Sequence, residues 1–247
     1  MTRLIRVAVL GCDTPIALVQ SRFGSYGDIF EGLLKKGLET SKSTAKIEVS
    51  KWHVVENPIY PKPNEYDALL LTGSKHDAFG DDSWILTLTE YIRDVVKAHK
   101  KPVVGICFGH QILARALGAR VGRGDGWEIS SSEISLTDAG KELFGKDQLH
   151  LHQMHRDLVH EVPEGCINLG YSSLCAVQGL YISGRLLTVQ AHPEFNEYIM
   201  SRILEARYDS GVFNDEIYKD GAARAGSHHD GGLVAGKIIE FITNSVI

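Results

Sequence analysis

Val103-Val104-Gly105-Ile106-Cys107-Phe108-Gly109-His110-Gln111 reads as a buried strand running directly into a helix, with a cysteine at the junction and a glycine two residues to either side. A turn that sharp forces its central residue into a strained backbone, and the glycines remove the Cβ atoms that would collide where strand and helix pass close together. The thiol of Cys107 is then pushed out above the strand ends. The unpaired N–H groups and dipole at the helix start favour its thiolate form. Taken alone, the motif is equally compatible with a small buried hydrophobe at a strand end.

Short apolar runs alternate with segments of helical period on both sides of this junction, the pattern of a mostly parallel sheet covered on both faces. Upstream, strands are predicted at 4–10, 46–55 and 66–71. A helix is predicted around Phe30, Leu33, Leu34 and Leu38, and another over 84–98. A loop carries Pro58, Pro61 and Pro63. Strand 102–107 leads to helix 109–117. From Trp127 onward alternating residues predict antiparallel strands beside or extending the main sheet, continuing through 167–171, 174–177, 180–182 and 186–190. Two helices, 197–208 and 232–243, close the chain, and the polar Gly/Ala/His stretch 221–231 between them is expected to be mobile. The fold class is therefore α/β with a mixed, mostly parallel central sheet, helices on both faces and a small antiparallel sheet, in one domain spanning 1–247.

A thiolate needs a partner that takes and returns a proton near neutral pH, which is the chemistry of histidine. Of the eleven histidines, His192 stands at the end of a strand in Leu187-Thr188-Val189-Gln190-Ala191-His192-Pro193-Glu194. Ends of parallel strands converge on one edge of a sheet, so Cys107 and His192 can meet, and Glu194 can hold the imidazole in its working tautomer. A capped turn before the last helices is the plainer reading of His-Pro-Glu. Backbone N–H groups of Phe108 and of the Gly73-Ser74 loop after strand 66–71 are the natural donors for an oxyanion, although Gly73 also fits a simple turn.

Other function classes are disfavoured. A net charge of -5 offers no basic field for nucleic acid, which leaves small molecules as the expected ligands. Arg6 splits an N-terminal apolar run too short for a signal segment or membrane span, so no membrane association is expected. Cys12, Cys107, Cys166 and Cys175 are sparse and lack a CxxC pair, which points to reduced thiols in a cytoplasmic protein. His150, His152 and His155 form an H-x-H-x2-H cluster without a complete ligand set, so no metal is assigned. His228-His229 reads as solvated loop. Gly118-Ala119-Arg120-Val121-Gly122-Arg123-Gly124 follows a helix rather than opening one, so no nucleotide and no other cofactor is expected.

Gly-Ile-Cys-Phe-Gly-His-Gln at 105–111, with Gln-Ala-His-Pro-Glu-Phe at 190–195, resembles the signature pair of class I glutamine amidotransferases. Met154-His155-Arg156-Asp157-Leu158-Val159 is similar to that family's His-x-Asp-x-Val segment, and Leu71-Thr72-Gly73-Ser74 sits where the family carries its oxyanion loop. The resemblance runs from about Leu4 to Tyr208 and implies the family's three-layer sandwich. It implies Cys107 as nucleophile, His192 as base and Glu194 as its orienter, with Gln111 and His155 at the glutamyl group and Phe108, Gly73 and Ser74 at the oxyanion. The loop Ser74-Lys75-His76-Asp77-Ala78-Phe79-Gly80-Asp81-Asp82 departs from the Gly-Gly-Pro-like loop of biosynthetic members. It looks more like the stand-alone branch of plant γ-glutamyl peptidases and fungal amidotransferase-like proteins. What the resemblance implies is a hydrolase or transferase acting on glutamine or a γ-glutamyl peptide such as glutathione or a conjugate. A glutaminase serving a separate synthase partner and a non-catalytic binding protein of the same fold are the alternatives, and homo-oligomerisation stays open.

Overall fold

The computed structural model describes residues 3–99 and 101–246; Met1, Thr2, Lys100 and Ile247 lie outside the described residues. Strand β1 (Leu4–Gly11) lies between β2 (Lys46–His53) and β3 (Ala68–Leu71), and the sheet continues through β4 (Val103–Ile106) to β9 (Leu186–Val189), all parallel. Beyond β9 come β8 (Gly179–Ile182), β7 (Ile167–Tyr171), β5 (Val121–Leu136) and β6 (Gln148–Val159), each antiparallel to its neighbour. The antiparallel strands therefore extend the main sheet rather than forming a separate one, giving nine strands in the order β2-β1-β3-β4-β9-β8-β7-β5-β6.

Both faces of β1, β3, β4 and β9 are buried, which is why these strands read as largely apolar runs, while the edge strand β2 is half exposed. Val7 and Val9 of β1 pack with Phe30 and Leu34 of α2 (Tyr26–Ser41) and Ile238 and Ile242 of α8 (Gly231–Ser245). Ala8 and Leu10, one residue out of phase, pack with Leu88 and Ile92 of α3 (Ser83–Asp94) and Ile112 and Leu113 of α4 (Phe108–Ala116). Each such buried side chain contributes about 1.5–3 kcal/mol before entropy is counted. Helix α2 starts at a reciprocal cap, in which the Asp28 N–H donates to Ser25 Oγ and the Ser25 N–H donates to Asp28 Oδ2 at 2.7 Å. A third cluster joins α1 (Ala17–Phe23) and α6 (Glu197–Asp209) to Ile129 and Met154 of β5 and β6.

Four expectations change. Residues 174–177 are not a strand; they form a loop in which Asn168 Nδ2 donates to the Ala176 carbonyl and the Cys175 N–H donates to Ser172 Oγ. The stretch 221–231 is anchored rather than loose: α7 (Asp215–Arg224) runs into it, and Arg224 donates to the carbonyls of Ile129 and Ser131. The helix over 84–98 ends at Asp94 and continues as one wider π turn, Val95–His99. Strand β5 begins at Val121, ahead of Trp127, because its first residues pair with β6 before a bulge between Arg123 and Glu128. The sequence reading also passed over α1 and α5 (Asp138–Phe144), each seven residues and too short to display a period.

The elbow's glycines have the steric role assigned to them. A Cβ on Gly105 would sit 2.7 Å from the Gly109 backbone, and one on Gly109 would sit 2.6 Å from the Leu71 carbonyl oxygen. These neighbours are backbone and cannot swing aside. Gly109→Ala is expected to lower stability by about 3 kcal/mol, read as the denaturant midpoint shift of the purified variant.

Candidate active site

Parallel pairing brings the C-terminal ends of β3, β4 and β9 to one rim. Cys107 closes β4 by donating its N–H to the Val189 carbonyl at 2.9 Å, then turns into α4 with φ 51° and ψ -104°, a left-handed conformation for a residue bearing a side chain. His192, three residues past β9, is fixed by its N–H donating to the His152 carbonyl at 2.8 Å. Its ring stacks on Phe195 with centroids 4.0 Å apart and planes 8° apart. One ring nitrogen, Nδ1, meets Glu194 Oε1 at 2.7 Å, and the imidazole and Cys107 lie together against Gly73. Burial disfavours the imidazolium, but the Cys107 sulfur and the Glu194 carboxylate outweigh it and hold the His192 pKa well above the ordinary range. Thus the cysteine, histidine and glutamate singled out in the sequence lie together at one site.

Gly73 lies against this group: a Cβ there would be 2.8 Å from His192 Cε1 and 3.7 Å from the Cys107 Cβ. Thr72 fixes the loop. Its buried hydroxyl donates to the Gly73 carbonyl and accepts the Cys12 N–H, both at 2.9 Å. Its carbonyl also accepts the Gly109 N–H, which ties the loop to the start of α4. Among the described residues, the N–H groups of Gly73, Ser74 and Phe108 have no backbone or side-chain acceptor. Gln111 differs from a free substrate ligand, because its Nε2 donates to the Asp157 carbonyl and to Gln190 Oε1. His155 is likewise engaged, with Nδ1 3.0 Å from the Asp157 carbonyl and Nε2 3.1 Å from Glu128 Oε2.

Two cavities meet at this rim and share Ser74, Lys75, Met154, Arg207 and Val212. The first, about 260 Å³, reaches Cys107 and Gln111 and is charged, with Arg123 bridging Asp77 at 2.8 Å and Asp157 at 2.5 Å. Burial raises the Asp157 carboxyl to about 6, with Asp77 adding to the rise and Arg123 opposing it. The second, about 420 Å³, reaches His192 and is walled by Pro15, Ile16, Tyr26, Phe195 and Ile203. A larger groove of about 630 Å³ lies over the antiparallel strands, between Trp127 and Arg224, and does not include Cys107 or His192.

Residues 26–208 match the glutamine amidotransferase class-I family. The chain belongs to the class-I glutamine amidotransferase family. It is 33% identical over 242 residues to a glutamine amidotransferase-like protein of Schizosaccharomyces pombe, covering 96% of this chain and 98% of that one. It is 34% identical over 190 residues to gamma-glutamyl peptidase 4 of Arabidopsis thaliana, covering 74% of this chain and 73% of that one. The fold is similar to the crystal structure of a Thermotoga maritima glutamine amidotransferase, with a TM-score of 0.72 and 20% identity over 96% of this chain and 98% of that chain.

Several residues of this amidotransferase-family site escaped the sequence reading. Tyr26, Trp127, Arg207 and Asp13, which pairs with Lys75 at 3.1 Å, come from helices, a strand and a loop that carry no motif, and the anchoring role of the Thr72 hydroxyl was not foreseen. Glu128 is another: it is buried, yet His155, Ser172 and Gln178 hold its pKa below the usual carboxylate value against the desolvation that would raise it. The H-x-H-x2-H cluster disperses. His150 faces Glu133, the His152 ring packs on His229 with centroids 4.7 Å apart, and His155 turns to Glu128. His229 is thus packed rather than freely solvated, while His228 is exposed. Among the described residues no group of three or more His, Cys, Asp or Glu converges on a metal position. All four cysteines are free, and burial pushes the thiols of Cys12 and Cys175 up to about 12 and that of Cys166 to about 11. Among the described residues, no helix is long and apolar enough to cross a membrane.

Two buried imidazoles set an acid limit. Burial lowers His110, beside Thr188 and near His155, to about 3, and lowers His152, facing His229 and His192, also to about 3. The unfolded chain binds more protons than the folded one between pH 3 and the ordinary histidine value, so stability is full above that value and falls as pH drops through the window. The expected loss is roughly 2 kcal/mol for each histidine by pH 5, read as a falling melting temperature, and His152→Phe should remove its share. His192 acts oppositely: its raised pKa contributes stability below the ordinary histidine value that is lost as pH rises.

Proposed function

We propose that this chain, acting as one domain, hydrolyses the γ-glutamyl amide bond of glutamine or of a γ-glutamyl peptide through a covalent thioester. The single observation that carries this reading is a cysteine in a strained elbow beside an imidazole whose Nδ1 meets a buried carboxylate at 2.7 Å. The Cys107 sulfur attacks the γ-carbonyl carbon and forms a C–S bond. The carbonyl oxygen becomes an oxyanion, facing the unoccupied N–H groups of Phe108 and the Gly73-Ser74 loop. The C–N bond then breaks as His192 gives its proton to the departing amine, leaving a γ-glutamyl thioester. Water attacks that thioester, His192 takes the water's proton, and glutamate leaves as the sulfur is regenerated. Glu194 holds the imidazole throughout, in the role of the third triad member.

The charged cavity beside Cys107 suits the α-ammonium and α-carboxylate of a glutamyl head, since Asp77, Arg123 and Asp157 present both signs. Gln111 braces that wall and offers its amide oxygen to a substrate donor. Peptidase activity is favoured over ammonia delivery because the family includes named gamma-glutamyl peptidases of similar length of match. The test is incubation of purified protein with glutamine, glutathione, S-substituted glutathione and γ-glutamyl dipeptides, measuring glutamate, ammonia and released amine. Glutamate is expected with wild type and not with Cys107→Ala. Equal behaviour of the two on every compound overturns the proposal, and ammonia appearing only after addition of a second protein overturns the free-standing form of it.

A further inference from the structure

The two cavities meeting at the rim are chemically unlike, and the reaction assigns each of them a half of the substrate. In the step that breaks the C–N bond, His192 must deliver its proton to the leaving nitrogen, so the leaving group lies on the His192 side of the sulfur. That side is the cavity of about 420 Å³, walled by Pro15, Ile16, Tyr26, Phe195 and Ile203. Ammonia, the leaving group from glutamine, needs no such space and gains nothing from apolar walls. The apolar part of this lining gains binding energy only from an apolar occupant, while Asp13, Lys75 and Arg207 add charge at its edge.

Arg207 adds a charge requirement. It lines both cavities at their junction, and its guanidinium lies over the Trp127 ring at 4.8 Å and within 5.9 Å of Phe213. Among the described residues no carboxylate is paired with it: Asp13, the acid lining the second cavity, accepts the Lys75 backbone N–H at 2.8 Å and pairs with Lys75 Nζ at 3.1 Å. Burial pulls the pKa of Arg207 down, with Cys107, Tyr26 and Asp13 acting in the other direction, which marks a cation withdrawn from water. A partly desolvated guanidinium with no anion is costly unless a ligand supplies one, and its planar fork matches a carboxylate.

We infer that the leaving group is an amino acid or peptide unit with an apolar side chain, seated in the His192-side cavity with its carboxylate on Arg207. This rests on the hydrolase reading above and names its substrate class: γ-glutamyl amides of apolar amino acids rather than glutamine. The bond broken is the same, and the proton from His192 leaves on the α-amine of the released residue.

Kinetics on four compounds test it: γ-glutamyl-leucine, its C-terminal amide γ-glutamyl-leucinamide, γ-glutamyl-glutamate and glutamine. For wild type, kcat/KM for γ-glutamyl-leucine should exceed that for each of the other three by about 10-fold or more, since each lacks either the carboxylate contact or the apolar fit. Arg207→Gln should cost γ-glutamyl-leucine about 10- to 100-fold, and this loss should exceed its loss on the leucinamide by about 10-fold. Ile203→Asp should raise KM for γ-glutamyl-leucine while moving glutamine hydrolysis much less. A wild type that hydrolyses glutamine as well as γ-glutamyl-leucine overturns the inference. So does an Arg207→Gln variant slowed equally on the acid and the amide. If no compound releases glutamate in a Cys107-dependent way, the hydrolase reading itself fails, and this inference fails with it.

Discussion

Cys107→Ala is expected to lower glutamate release from γ-glutamyl substrates by about 1,000-fold or more, the scale on which loss of a covalent nucleophile acts. The variant should stay folded. Cys107 is held in place by backbone bonds, its N–H donating to the Val189 carbonyl and its carbonyl accepting the Gln111 N–H, and alanine keeps both. The strained φ of 51° gives a second, opposite readout at the same position. Cys107→Gly removes the Cβ that makes this conformation unfavourable, so it should be as inactive as alanine yet more stable by about 1 kcal/mol, by the usual cost of left-handed backbone at residues with side chains. Paired denaturation curves and glutamate assays on the two variants check both halves. An alanine variant that keeps activity, or a glycine variant less stable than alanine, contradicts the argument.

Gly73→Ala is the second large effect and acts without touching any reacting group. The φ of Gly73 is one that alanine tolerates, so the backbone need not change. The added methyl, however, falls 2.8 Å from His192 Cε1. The ring is clamped between Phe195 and Glu194, so it can only be pushed off its line to the sulfur. Displacement of that size costs about 100-fold in kcat, with a small change in melting temperature. The contrast with Gly109→Ala is diagnostic, because there the methyl meets backbone and stability is lost. Equal activity of Gly73→Ala and wild type would show that the ring sits elsewhere during turnover.

The sheet's parallel half and the elbow were legible in the sequence because their causes are local. Runs such as Ala68–Leu71 must be buried on both faces, and Gly105 and Gly109 announce a close crossing whatever surrounds it. His192 and Glu194 were legible because strand ends share a rim, so adjacency followed once β4 and β9 were both taken as parallel strands. Arg207 and Tyr26 were not, since a helix residue reaches a site only through the angle at which its helix crosses the sheet, and sequence does not carry that angle. The bracing of Gln111 was hidden for the same reason: its partners Asp157 and Gln190 come from β6 and from the turn after β9. Helix α5 was recoverable in principle, because Thr137 caps its start and Gly145 ends it in a left-handed turn, but seven residues show too little periodicity to be noticed.

The pairing of β4 with β9 has a consequence for the chain as it is made. About a third of the protein separates the sulfur from its imidazole, so a nascent polypeptide that has just emerged past Cys107 holds β3, one neighbour of the cysteine's strand, but lacks both β9 and the imidazole. Cys107, His192 and Glu194 therefore come together late in synthesis. The three groups share one rim only once Leu186–Val189 lies beside Val103–Ile106.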